Sequence, residues 1–258
     1  MLDDAAPDLD RAGMAAPPVD AAPDPGAVLS EVERRTAGLL RTLDRLDDVA
    51  MAEPSLLPGW TRGHVVTHIA RNADAMVNLL TWALTGVETP AYPSMEVRSA
   101  DIEAGAGRNA GDLRSDVVRS HERLMTTARR LPDEAWSREI RWGRDDSTAP
   151  ASIIPVLRES EVEIHHVDLD TGYTPAHWSA AFVARTLTRC SGDFADRPGT
   201  PGVTLHATDT ERSWRIGDGR TVVSGPGPAL LGWLLGRTAG VGLSVDPSGP
   251  LPTLGAWR

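Results

Sequence analysis

Residues 152–169 read Ser-Ile-Ile-Pro-Val-Leu-Arg-Glu-Ser-Glu-Val-Glu-Ile-His-His-Val-Asp-Leu, with seven ionisable side chains packed into residues 158–168. Wound at about 100° per residue, the run separates into two faces. Glu161, His165 and Asp168 fall with Ile154, Leu157 and Ile164, on the stripe expected to face a bundle interior. Glu159, Glu163, His166 and Asp170 fall opposite, where a polar face reads as solvated. A carboxylate and an imidazole on a buried face each need a partner, and Glu161 and His165, at i and i+4, can share one divalent metal. A plain Glu161–His165 or Glu161–arginine pair is the alternative at this level.

Three further helices are predicted upstream. One runs from Val28 to about Leu46, with Val28, Leu29, Val32, Leu39, Leu40 and Leu43 at helical spacing. A second starts after Leu57-Pro-Gly-Trp60, with Thr61 as N-cap, and runs to about Thr85 before Gly86. A third spans about 110–131 and is closed by Pro132. On the second, His68 shares a stripe with Val65, Ala75, Leu79 and Ala83, with Asn72 one turn later and His64 one turn earlier. Either histidine can face the 152–169 helix, and two imidazoles with one carboxylate would leave a fourth zinc position open, as in catalytic sites.

Four such helices suggest an antiparallel bundle over residues 28–177. The pattern then changes to a helix ending near Ser191, strand-like runs at 203–207, 213–216 and 222–223, an apolar helix over 229–235 and a last strand near 243–245. The expected fold class is therefore α+β, a four-helix bundle followed by a smaller α+β domain over 178–258. Residues 1–27, rich in Ala, Pro and Asp, are expected to be a disordered tail.

Composition narrows the function. The net charge of -10 argues against nucleic acid and anionic membranes as partners. All 26 basic residues are arginine, which excludes Schiff-base lysines and a phosphate-loop lysine. The single cysteine, Cys190, supplies neither a disulfide nor a thiolate cluster and suits a reducing compartment. An acidic start without a long apolar run leads to the expectation of a cytoplasmic protein, monomeric or weakly homo-oligomeric. His206 and Asp209 lie near several serines, but no nucleophile elbow accompanies them.

Two stretches carry a family resemblance. Leu57-Pro-Gly-Trp-Thr-Arg-Gly-His-Val-Val-Thr-His68-Ile-Ala-Arg-Asn72-Ala, followed by Gly86-Val-Glu-Thr-Pro-Ala-Tyr92-Pro-Ser, resembles the mycothiol-dependent maleylpyruvate isomerases of the DinB-like metal-binding superfamily. Arg158-Glu-Ser-Glu161-Val-Glu-Ile-His165-His-Val-Asp168-Leu resembles their second metal motif, and Val222-Val-Ser-Gly with Gly236-Arg237-Thr their second domain. The resemblance implies a DinB-like bundle, zinc or another divalent metal on His68, Glu161 and His165, mycothiol as thiol cofactor, and a functional arginine at Arg237. It places His64 at a position that is not a ligand, and offers Arg98 as a further substrate-binding candidate. The implied reaction is thiol-assisted cis–trans isomerisation of maleylpyruvate, an electrophilic diacid. Mycothiol S-transfer, or metal binding without turnover, remains the alternative for chains with the same triad.

Overall fold

The computed structural model describes residues 23–142 and 148–257. Helix α1 (Pro25–Leu43) starts slightly before the expected position, because Asp24 caps it through the Ala27 amide and proline occupies the first turn. The expected tail otherwise lies outside the described residues. A short α2 (Asp48–Ala52) leads to α3 (Arg62–Thr85), opened by a capping box at Thr61 and closed by left-handed Gly86. Helices α5 (Ala110–Ala128) and α6 (Ile153–Asp168) complete the bundle, with α3 packed on α5 and α6, and α1 on α6.

Two features were not anticipated. Helix α4 (Met95–Ala106) lies along α3 and buries only Ile102, Gly105 and Ala106, so it carries no apolar stripe to betray it. Ser94 caps it through the Val97 amide. Strands β1 (Glu139–Arg141) and β2 (Thr148–Pro150) pair antiparallel, each too short for an alternating pattern to register.

The chain then forms α7 (Ala180–Ala195), β3 (Val203–Ala207), β4 (Arg212–Ile216), β5 (Thr221–Gly225), α8 (Gly227–Leu234) and β6 (Ser244–Asp246). The sheet order is β4-β3-β5-β6, with β3 and β5 parallel and the outer pairs antiparallel. Phe182, Leu187 and Phe194 of α7 and Leu230, Leu231 and Leu234 of α8 cover its apolar face. Ile164 and Val167 of α6 join this core, which seats the second half of the chain on the end of the bundle. Both halves match the predicted α+β class. No helix among the described residues is long and apolar enough to cross a membrane.

One expectation is corrected. Glu159, Glu163 and His166 are no more than 3% exposed, because α1 crosses that side of α6 and α7 packs beside it. Arg185 of α7 pairs with Glu159, while Arg35 of α1 and the Tyr173 hydroxyl meet Glu163. His166 reaches Thr42 at 2.8 Å and stacks on Tyr173. Asp170 is exposed as expected. Burial pushes the Glu163 carboxyl up to about 7 despite those two contacts.

Candidate metal centre

Helices α3 and α6 bring His68, Glu161 and His165 to one point, with one ligand atom of each within 4.8 Å of the others. His68 Nε2 lies 3.0 Å from Glu161 Oε2 and 3.0 Å from His165 Nε2, and the third edge is 3.4 Å. Zinc bonds of about 2.0–2.2 Å in tetrahedral geometry place ligand atoms about 3.4 Å apart, so the triangle nearly has the size of one tetrahedral face. Protons alone satisfy the three atoms poorly. Arg98, on α4, donates from Nη2 to His68 Nδ1 at 3.1 Å, which leaves the His68 proton on Nε2, pointing at both other groups. A divalent cation would engage all three, and the donor set fits one.

The surroundings tune each group. Burial, against the hydrogen bond that His68 donates to Glu161, brings His68 down to about 4, a neutral imidazole at physiological pH. Burial opposes ionisation of Glu161, yet hydrogen bonds from His165 and His68 hold it well below the usual carboxylate range. For His165, burial is outweighed by Asp168 and Glu161, which raise it to about 9.

His165 is oriented from behind. Its Nδ1–H donates to Asp168 Oδ2 at 2.8 Å, turning Nε2 toward the triad. Asp168 in turn accepts from Arg237 Nε and Nη2, each at 2.9 Å, while Arg237 Nη1 donates to Leu235 O. Arg237 follows left-handed Gly236 (φ 71°) at the end of α8, and its amide returns to Gly232 O. The side-on edge that a free Arg237 would offer to a substrate is therefore already taken by Asp168, and it also satisfies a helix-end carbonyl. The turn before α3 closes another side: the Trp60 ring meets His68 edge-on, with centroids 5.7 Å apart.

His64 turns away from the triad. Its Nδ1 completes the capping box with Thr61 and its Nε2 faces Glu103. Cys190 is buried in the C-terminal core. His206 pairs with Ser213, and Asp209 caps Gly227, so these two form no triad. Sequence reasoning assigned no role to Asp168, Trp60, Tyr92 or Arg158. Asp168 was signalled by its i+3 spacing from His165 on the inward face.

Residues 29–170 match the family described as the mycothiol maleylpyruvate isomerase N-terminal domain, and residues 177–256 match the MDMPI C-terminal domain. The chain belongs to the mycothiol-dependent maleylpyruvate isomerase family. A crystal structure of the mycothiol-dependent maleylpyruvate isomerase superposes with a TM-score of 0.84 at 30% identity, covering 90% of this chain and 97% of that one. A crystal structure of a histidine-to-alanine mutant of a mycothiol-dependent maleylpyruvate isomerase superposes at 0.83 with 29% identity and the same coverage. No curated protein matches the chain. Membership makes this family chain an enzyme, and its two halves follow the family's two-domain order.

Proposed function

We propose that the chain is a mycothiol-dependent cis–trans isomerase of maleylpyruvate, acting at a zinc ion held by His68, Glu161 and His165. The convergence of those three ligand atoms, in a chain of this family, is the observation that supports the reading most strongly. A zinc ion there would lower the pKa of a thiol in its open fourth position. Mycothiol would supply the thiolate whose reversible addition to the conjugated double bond allows that bond to rotate.

The chain's own residues prepare the site. Asp168 holds the His165 proton on Nδ1 and so presents the Nε2 lone pair. With His68 Nε2 engaged by a cation, its proton belongs on Nδ1, where Arg98 cannot accept it, so Arg98 is released from His68 as a permanently charged partner for a substrate carboxylate. Arg237 stabilises the Asp168 carboxylate and keeps only its outward N–H groups for substrate. Trp60 shields the His68 side from water.

The deciding experiment incubates zinc-loaded protein with mycothiol and maleylpyruvate. The expected result is the trans isomer with the thiol recovered. A stable thioether would replace the reading with mycothiol S-transfer, and metal binding without turnover would remove catalysis from it.

A further inference from the structure

One turn from the triad, α3 and α6 make a second polar rung. Asn72 follows His68 by one turn and Arg158 precedes Glu161 by one turn, so the Arg158–Asn72 contact stacks beside the His68–Glu161 contact. Arg158 is 0% exposed and is among the largest fully buried side chains. Its Nη1 donates to Ile69 O and to Asn72 Oδ1, both at 2.8 Å, which is all that a tie between the two helices requires. Its Nε and Nη2 have no hydrogen-bond partner among the described residues. Those two atoms form the side-on edge with which Arg237 grips Asp168, so the same fork that is filled in one arginine is open in the other.

A buried guanidinium with two orphaned donors is expensive unless an anion meets it. Glu161 and Tyr92 lie within its field, burial brings its pKa down to about 10, and it stays charged at neutral pH. The site as a whole is built for anions. Arg98, Arg158 and Arg237 face Glu161 and Asp168 there, although the protein is strongly acidic overall. With a divalent cation added, the local excess of three positive charges matches one thiolate and one dicarboxylate.

We propose that the open Nε/Nη2 edge of Arg158 is a carboxylate subsite, which receives one end of a dicarboxylate substrate and sets the enzyme's preference for diacids. This rests on the isomerase reading for the identity of the substrate. Entry requires a neighbouring side chain to turn aside, and Tyr92, half-buried and within the field of Arg158, lies under Arg98 with its ring centroid 5.7 Å from that guanidinium.

The test titrates maleate, a cis dicarboxylate that undergoes no addition while thiol is left out, into zinc-loaded protein without mycothiol, following heat release. Arg158→Met keeps the side-chain volume, and removing a buried charge in favour of an apolar group of similar size is tolerated by many folds. Its maleate affinity is expected to fall roughly tenfold to a hundredfold with zinc content unchanged. Should that variant fail to fold, Arg158→Lys keeps the charge without the fork and is expected to weaken maleate about tenfold. Affinity within about twofold of the parent in the folded variant, or no maleate binding by the parent, overturns the subsite. Maleate binding that depends on Arg158 in a protein without isomerase turnover would sink the proposed reaction and leave the subsite standing.

Discussion

Arg237 and Asp168 join the two halves of the chain through a side-on pair, Nε to Oδ1 and Nη2 to Oδ2, each 2.9 Å long. Asp168 is 0% exposed and its other contact is His165 Nδ1, so one carboxylate links the C-terminal half to a candidate metal ligand. Hydrogen bonds from His165 and Arg237 hold it ionised against burial. Asp168→Asn preserves the shape but weakens the acceptor and removes the charge. Zinc affinity, read by competition with a chromogenic chelator, is expected to drop about 10- to 100-fold. An unchanged affinity would show that His165 needs no support.

How much of this was legible in the sequence depends on which surface the signal came from. Helices α1, α3, α5 and α6 announced themselves because each buries a stripe against its neighbours. Helix α4 buries almost nothing, and the stripe method cannot see it. Glu161 and His165 do turn toward His68 of α3, but Ile164 of the same stripe packs into the C-terminal core, and the outer face was taken for solvent, since a wheel separates polar from apolar and not covered polar from wet polar. Arg35, Tyr173 and Arg185 arrive from distant parts of the chain to cover Glu163 and Glu159. The choice of His68 over His64 came from the resemblance, although Thr61 three residues before His64 was a local sign of its capping role.

A metal on the triad makes stability depend on that metal. His68→Ala removes the ligand that touches both others, so purified variant is expected to hold almost no zinc where the parent holds about one equivalent. Adding a strong chelator should lower the parent's unfolding free energy by about 4 kcal/mol if free zinc stands near a thousand times its Kd, and leave the variant unmoved. Identical melts with and without chelator in the parent would identify the triad as hydrogen-bonded core.

His121 on α5 gives the pH dependence a defined direction. Its Nδ1 is buried without a hydrogen-bond partner among the described residues, and burial, with the fields of Arg158 and Arg129, takes the imidazole down to about 4. That lies below the unfolded value of about 6.5, so the native state binds fewer protons than the unfolded chain between the two. The contribution is therefore complete above about pH 6.5 and is lost as pH falls through about 4. His121→Gln cannot titrate there. Urea unfolding is expected to favour the variant by about 2 kcal/mol at about pH 4 relative to the difference at neutral pH, a figure reduced for partial exposure. Parallel stability curves across that range would contradict the assignment.

Helix α4 holds Arg98 over His68 only because α3 lets it come close. A Cβ built on Gly63 would stand 2.2 Å from Ala106 O, a backbone atom that cannot swing away as a side-chain tip can. Gly63→Ala must therefore push the end of α4 off α3, whatever alanine gains in helix propensity. The expected cost is about 1–3 kcal/mol in urea unfolding. Gly107, just past the same helix end, has open space around its Cβ position and φ of -85°, so Gly107→Ala is expected to stay within about 0.5 kcal/mol of the parent. The pair separates close approach from a general intolerance of alanine at that end of α4. Equal effects at both positions would contradict the close approach of α3 to the end of α4 at Gly63.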